Sequence, residues 1–219
     1  MRNHFSSPVQ SHEYATRKTR STRDLPLRRW CFALALLTCA LPCATFAQKA
    51  PRYAYTGFDA LGATYTRGGD INHAATIVGY FNPTTNPVAH GYILSGGAFT
   101  QYDVPGSAGT QIQGINDDGS MVGRYDFPLV GIANAHGFIL SGGSLTTFDV
   151  PGSASTSAKG INLAGDVVGR TIDAAGVGHG FLRRGGQFTS IDYPRATSTQ
   201  CWKINNNGQI VGDYQDAAG

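Results

Sequence analysis

The sequence predicts an all-β protein built from four-stranded antiparallel repeats of about 45 residues, arranged as a partial β-propeller, with a β-solenoid or another stack of sheets as the alternative. One short pattern occurs four times, as INHAATIVG (71–79), INDDGSMVG (115–123), INLAGDVVG (161–169) and INNNGQIVG (204–212). Between these copies, runs of aromatic and β-branched residues alternate with turn residues. Only 14% of the residues are charged and 29 are glycine, which is typical of a turn-dense chain.

The distances between the repeated residues are nearly constant. Each Ile-Asn pair follows an Asp at one fixed interval and precedes the Gly of a Val-Gly pair at another. In three copies a His-Gly pair follows, and the interval from its His to the next Asp is again the same in all three. The periods are 44, 46 and 43 residues, and all of the variation falls between the Val-Gly and His-Gly pairs. Such a period indicates units that stack because none buries its own apolar face.

Each unit is predicted to contain four short strands, which in the second copy are TQIQGI, SMVGRY, HGFILS and SLTTFDV. The breaks between them carry Asp-Asp-Gly-Ser, a loop of variable length, Gly-Gly and Val-Pro-Gly, which suit tight turns. The predicted units lie near 59–102, 103–148, 149–191 and 192–219, and the last is incomplete. Because an incomplete unit leaves a strand edge unpaired, we expect self-association through open sheet edges.

The repeated pattern Gly-Ile-Asn-x-x-Gly-x-Val-Val-Gly, followed by His-Gly-Phe and a Gly-Gly turn, resembles the HAF family of predicted extracellular repeat proteins. The resemblance runs from Phe58 through the rest of the chain. That family is usually written with His-Ala-Phe, where this chain has HGY, HGF and HGF. The resemblance implies export and β-propeller-like repetition rather than a known reaction.

The segment 1–47 has the features of a secretory signal peptide. A basic segment ending in Arg28 and Arg29 precedes the apolar run WCFALALLTCALPCATFA, and small residues before Gln48 predict cleavage after Ala47. The run is short for a membrane span, and Pro42 breaks it near its end, so a retained anchor is the less favoured alternative. We therefore expect a β-repeat domain at 48–219 that is secreted or held at the cell surface, with no membrane segment after cleavage.

Without the predicted signal peptide, the net charge of the chain changes sign. Residues 48–219 carry ten Lys and Arg against twelve acids, a net charge of −2, and only Arg183 and Arg184 are adjacent basic residues. This distribution argues against a nucleic-acid partner. Cys201 is the one cysteine left in this part, so we expect no intramolecular disulfide and predict that its thiol is buried as a small apolar group.

Three polar residues recur at matching positions and are predicted to hold the fold. The His column is expected to bridge backbone groups of adjacent strands, with a metal site as the alternative. The Asp column is expected to hold turns by accepting backbone N–H bonds, and the Asn column to cap local backbone groups. Asn116-Asp117-Asp118-Gly119 resembles part of a calcium loop, but the matching turns retain only Asn, so a hairpin turn is preferred. The columns are His90, His136 and His179; Asp59, Asp103, Asp149 and Asp192; and Asn72, Asn116, Asn162 and Asn205.

Residues that differ between copies are better functional candidates, because the fold does not dictate them. The loops of variable length, Phe81 to Ala89, Asp126 to Ala135 and Thr171 to Gly178, are expected to share one face. Phe127 and Leu129 in the second loop, and Trp202, are the candidate ligand-binding residues. The sequence thus predicts a secreted binding or surface-interaction module for a carbohydrate or a surface protein, with no enzyme activity, cofactor or metal. The alternatives are a fragment of an exported propeller enzyme that acts on polysaccharide and a purely structural repeat.

Overall fold

A computed structural model describes the backbone of residues 3–6 and residues 54–85, 88–127 and 134–217 in full. All regular structure in these ranges is β-strand, arranged in sheets whose neighbouring strands are antiparallel. The predicted all-β fold of four-stranded antiparallel repeats is confirmed. The predictions that fall on residues 7–53, on most of the second variable loop and on residues 86–87 lie outside the described residues.

Three sheets contain four strands each, and each sheet follows the chain order. The strands of these sheets are β2 Ala63–Ile71, β3 Ile77–Pro83, β4 His90–Ser95 and β5 Ala98–Tyr102; β6 Gly109–Ile115, β7 Met121–Asp126, β8 Ala135–Ser141 and β9 Ser144–Phe148; and β10 Ser155–Ile161, β11 Val167–Ile172, β12 Gly178–Arg184 and β13 Gln187–Ile191. The fourth sheet contains β14 Ser198–Ile204, β15 Ile210–Gln215 and, from the start of the chain, β1 Asn3–Ser6. The first strands β2, β6, β10 and β14 are called the inner strands below.

The third and fourth strands of each complete sheet are joined by a Gly-Gly turn. In the second sheet Gly142 has a φ of 55° and Gly143 a φ of 79°. Positive φ at both central residues is what a type I′ hairpin turn requires, and glycine adopts it without steric cost. The matching pairs in the other two complete sheets have the same conformation.

The Gly of each Val-Gly pair receives the aromatic ring of the next strand. A Cβ added at Gly123 would meet the backbone oxygen of Gln111 and would lie 2.8 Å from the ring of Phe138. Phe138 is fully buried and lies opposite Gly123 in the β7–β8 register. The same arrangement joins Gly79 to Tyr92 and Gly169 to Phe181. The glycines are therefore fixed by close packing.

The Gly of each His-Gly pair is also tightly enclosed. A Cβ at Gly91 would lie 2.6 Å from the backbone oxygen of Tyr102, and one at Gly180 would lie 2.6 Å from that of Ile191. A Cβ at Gly137 would lie 2.8 Å from the ring of Phe148. An alanine at these positions, as in the His-Ala-Phe pattern, would force the neighbouring strand to shift.

Neighbouring units are joined through repeated apolar contacts. Val122 of the second unit packs in one cluster with Ala158 and Ile161 of the third unit. Val168 of the third unit packs in the same way with Cys201 and Ile204 of the fourth. Each of the three complete sheets therefore buries its apolar face against the inner strand of the next unit. This contact buries Cys201, as the sequence predicts. Burial, together with the smaller effect of the Asp192 charge, raises the pKa of the thiol to about 12.

The Asn column connects the units by hydrogen bonds. Within its own turn, Asn116 Oδ1 accepts a bond from the Ser120 N–H at 2.9 Å. Asn116 Nδ2 donates to the backbone oxygen of Asn162 in the next unit at 3.0 Å. Asn72 and Asn162 make the same two contacts, so a ladder of side-chain amides runs from the first unit to the fourth.

The two end units leave parts of this repeated contact uncovered. Ile71 is 58% exposed, whereas the matching Ile residues of the later units are at most 7% exposed. Val211 is 45% exposed, whereas the matching Val residues of the earlier units are fully buried. The exposed faces are the two halves of one kind of contact, because every internal Val packs near the Ile of the following unit.

Strand β1 takes the place of a third strand in the fourth sheet. It pairs antiparallel with β15, and Phe5 lies opposite Gly212. This is the register position that Tyr92, Phe138 and Phe181 occupy opposite their own glycines. Because Asn3–Ser6 belongs to the predicted signal peptide, cleavage after Ala47 would release this edge of β15.

We predict that Asn116→Ala lowers the free energy of unfolding by about 1 to 3 kcal/mol, because the part-buried Ser120 N–H loses its side-chain acceptor and the Asn162 carbonyl in the next unit loses one of its donors. Asn205→Ala is the matched control, since Asn205 Nδ2 donates to Gln209 within its own exposed turn. Urea unfolding of both variants measures the difference. Equal losses would show that the bond between units adds no stability.

We also predict that the purified chain self-associates through its end faces, because Ile71 and Val211 expose apolar surface that is buried at every internal contact. Light scattering over a range of concentrations should show a rising mass. The double variant Ile71→Lys and Val211→Lys should reduce that rise, while Leu163→Lys, on an exposed turn, should not. A wild-type mass that stays monomeric at all concentrations would contradict this expectation.

Candidate functional site

The His and Asp columns meet each other in the structure. Antiparallel pairing places Gly137 opposite Phe148, so the preceding His136 lies beside the following Asp149, with Nδ1 2.9 Å from a carboxylate oxygen. The same contact joins His90 to Asp103 at 2.9 Å and His179 to Asp192 at 3.0 Å. This strand register accounts for the constant interval from each His to the next Asp. The expectation that the His residues bridge backbone groups is corrected here, because their Nδ1 atoms pair with carboxylates.

The turn before each inner strand is held by a threonine that the sequence-based prediction missed. The Val104 N–H donates to Thr110 Oγ1 at 2.9 Å, and the Val150 N–H donates to Thr156 Oγ1 at 3.0 Å. Thr66 and Thr199 do the same for Ala60 and Tyr193. The carboxylates of Asp103, Asp149 and Asp192 point to histidine instead, and Asp59 is exposed. The signal that could have revealed this column is a Thr at one fixed distance before every Ile-Asn pair.

The His–Asp pairs lie in three separate sheets. Among the described residues no group of three or more His, Cys, Asp or Glu side chains is close enough to hold a metal ion. The Asp117 carboxylate of the calcium-like turn pairs with His73 of the preceding unit, with 2.9 Å between Oδ2 and Nδ1. Hydrogen bonds from the His73 backbone and ring hold the pKa of Asp117 below its usual range. These polar groups connect strands and units.

The three candidate binding residues do not lie together. Phe127 is 47% exposed and contacts the rings of Tyr125 and His136, with centroids 5.3 Å apart in both cases. Leu129 lies outside the described residues. Trp202 is half-buried on the inner strand β14 and lines a cavity.

This cavity, called the axial cavity, lies between the inner strands of all four units and has a volume of about 330 Å³. Its lining includes Arg67 from β2, Gln111 and Gln113 from β6, Ser157 and Lys159 from β10, and Trp202 and Lys203 from β14. The second strands add Tyr80, Arg124 and Arg170. A cavity of this size accommodates a small molecule or one group of a larger ligand.

A β-bulge at the same place in every inner strand shapes this lining. The register shifts between Gly68 and Asp70, Ile112 and Gly114, Ala158 and Gly160, and Cys201 and Lys203. The bulged residues between them are Gly69, Gln113, Lys159 and Trp202, and all four line the cavity. Bulges re-aim side chains, and here they bring four different residue types to one level of the cavity.

Four other residues of the inner strands that line the axial cavity each lie opposite a residue of the paired second strand. Arg67 lies opposite Tyr80 and donates to its hydroxyl at 3.3 Å. Gln111 lies opposite Arg124, whose Nε donates to Gln111 Oε1 at 3.2 Å. Ser157 lies opposite Arg170, and Gln200 lies opposite Asp213. Asp213 lines a smaller neighbouring cavity of about 220 Å³, which also includes Arg170, Gln200 and Trp202.

The axial cavity concentrates positive charge. Five of the ten basic residues of 48–219 line it: Arg67, Arg124, Lys159, Arg170 and Lys203. Lys203 Nζ lies 2.7 Å from Asp70 Oδ2 and also donates to the backbone oxygens of Gln113 and Lys159. The pKa of Lys159 is lowered to about 8, mainly by burial and also by the positive charges of Arg124, Arg170 and Arg67, with Asp213 acting in the opposite direction. Lys159 Nζ donates to Gln113 Oε1 at 3.2 Å and lies 4.3 Å from the centre of the Trp202 ring.

Residues that differ between the copies occur in the lining of this cavity as well as in the loops. The bulged column contains Gly, Gln, Lys and Trp through the four units, and the residue after each Val-Gly pair is Tyr, Arg, Arg and Asp. An alignment of the four copies shows that these two columns vary while their neighbours recur. It does not show that most residues of the two columns line one cavity.

In comparisons with known proteins, no family model and no curated protein matches this chain. Its resemblance to the HAF family therefore stays a prediction. Within the described residues there is no helix with the length and hydrophobicity needed to span a bilayer.

We predict that His179 makes stability depend on pH. Burial lowers its pKa, but hydrogen bonds to Asp192 and Asp173 outweigh burial and leave the pKa raised. A raised folded-state pKa contributes stability that is fully present below about pH 6.5, the usual His value, and is lost as pH rises through the folded-state pKa. Denaturant unfolding between about pH 5 and 8 should show this loss in the wild type and a flatter profile in His179→Gln.

Asp173→Asn should also flatten the profile, because Asp173 Oδ2 lies 3.4 Å from His179 Nε2. Asp118→Asn removes the same charge from an exposed turn and is the matched control. If His179→Gln keeps the wild-type slope, the pH dependence arises elsewhere.

Proposed function

We propose that this chain is a secreted binding module that receives a polar ligand in its axial cavity. The observation that carries the proposal is that seven of the eight residues in the two copy-variable columns line this cavity, since a repeat does not need to vary at positions that only hold its fold. Trp202 offers an aromatic edge, Gln113 and Gln200 offer amide groups, and the arginines offer charged donors. This combination suits a sugar or another hydroxyl- and acid-bearing group.

The lining favours binding over catalysis. Its charged groups are arginines and lysines, and the adjacent Asp70 carboxylate is engaged by Lys203. The His–Asp pairs recur in three units with the same geometry, which is the behaviour of structural contacts. No observation among the described residues favours the polysaccharide-cleaving enzyme considered from the sequence.

The volume of the axial cavity limits the size of the ligand that it can hold. About 330 Å³ holds a sugar-sized group, whereas a surface protein would need an extended contact area. A carbohydrate is therefore the better supported of the two expected partners. Secretion rests on the signal-peptide features of residues 1–47.

We predict that Trp202→Ala and Gln113→Ala each weaken saccharide binding by about threefold to tenfold, because a lost aromatic contact or hydrogen bond is worth about 0.5 to 1.5 kcal/mol. Isothermal titration with neutral and uronic-acid trisaccharides measures the affinities. Trp202→Phe keeps an aromatic ring and should retain most of the binding, and melting curves should show that all variants fold.

Phe127→Ser is the control on the variable loop and should leave the affinity unchanged. If Phe127→Ser loses binding and Trp202→Ala binds fully, the binding site includes the variable loop rather than the axial cavity. If none of the trisaccharides binds, the proposal of a carbohydrate-binding module is wrong.

A further inference from the structure

The basic residues of the axial cavity come from separate sheets and surround one space. Arg67 belongs to the first unit, Arg124 to the second, Lys159 and Arg170 to the third and Lys203 to the fourth. Bringing like charges together in a partly buried space raises the free energy of the folded protein unless an opposite charge compensates them. A chain whose 48–219 part is acidic overall nevertheless places half of its basic residues here.

The described carboxylates compensate this cluster only in part. Asp70 forms an ion pair with Lys203. The other described ion pairs join His73, His90, His136 and His179 to carboxylates, or Arg184 to Asp166, and none of them involves Arg67, Arg124, Arg170 or Lys159. Asp213 is the further carboxylate close enough to affect Lys159. Four cations thus face one carboxylate, which leaves an excess of positive charge.

The arginines are held in place by bonds that leave donors available. Arg124 uses Nε to bind Gln111, and Arg67 uses Nη1 to bind the Tyr80 hydroxyl. A guanidinium carries five N–H groups, and its planar fork matches the two oxygens of a carboxylate or a phosphate. The remaining N–H groups of Arg124 are therefore ready to donate to an oxyanion.

We infer that the axial cavity is an oxyanion-binding site for a ligand that carries two or more negative charges, bound between Arg67, Arg124, Arg170 and Lys159. The inference rests on the proposed function and specifies the charge of its ligand. Carboxylate groups of this kind occur on small polycarboxylic acids and on the uronic acids of acidic polysaccharides. Both sources present carboxylate groups to the site, and the experiment below distinguishes between them.

Lys159 adds a pH dependence to this site. The charged and titratable groups around it are Arg67, Asp70, Tyr80, Arg124, Arg170, Lys203 and Asp213. With a pKa of about 8, Lys159 is charged at neutral pH and loses its proton as the pH rises above that value. The affinity for an anion should therefore fall above pH 8, and Lys159→Met should remove this part of the pH dependence.

The experiment is isothermal titration at pH 7 and low salt with three probes: citrate, trigalacturonate and the neutral maltotriose. We expect binding of one or both anions that weakens as KCl is added. Arg124→Gln and Arg170→Gln should each weaken anion binding about tenfold or more, because each removes charge-assisted hydrogen bonds. Arg195→Gln removes the same charge from an exposed turn and should leave the affinity unchanged.

Binding of citrate supports a small polycarboxylate as the source, and binding of trigalacturonate alone supports an acidic polysaccharide. Failure of both anions to bind overturns the inference. Maltotriose binding that is lost in Trp202→Ala but unaffected by Arg124→Gln and Arg170→Gln also overturns it, while the proposed function stands. Melting curves of each variant identify any loss of affinity that comes from unfolding.

Discussion

Each repeat depends on its neighbour, because one small sheet cannot bury its own apolar face. Val122 is fully buried only because Ala158 and Ile161 of the next unit cover it, and Val168 depends on Cys201 in the same way. The ladder of Asn side chains reinforces this contact where the turns of adjacent units meet. The exposed Ile71 and Val211 show what the same residue types become when no neighbouring unit covers them.

Holding the units together with recurring residues leaves other positions free to differ. Contacts between strands and units are made by the recurring Val, Gly and Asn residues and by the aromatic residue opposite each glycine. The identity of these residues is therefore constrained in each copy. The bulged residue of each inner strand points to the axial cavity and makes no such contact in common, and it changes from Gly69 to Gln113, Lys159 and Trp202. A repeated scaffold thus presents an unrepeated surface.

The net charge of a chain says little about the charge at one site. Residues 48–219 are slightly acidic, but many of the acids are used in pairs with histidine at the sheet edges, as Asp149 is with His136. Half of the basic residues of 48–219 line the axial cavity, where partial burial reduces screening by water and salt. A site for anions on an acidic protein is therefore consistent with its composition.

The sequence by itself determined the four-stranded repeat, because strand length, turn chemistry and the spacing of apolar residues are local properties that recur in each copy. It did not determine that His136 meets Asp149, which depends on strand register, or that Thr156 holds the turn at Val150. Only the tertiary structure decided the axial cavity, since Arg67 and Lys203 are far apart in the chain. Their proximity follows from how whole sheets stack, and that depends on the sum of many contacts between units rather than on any one segment.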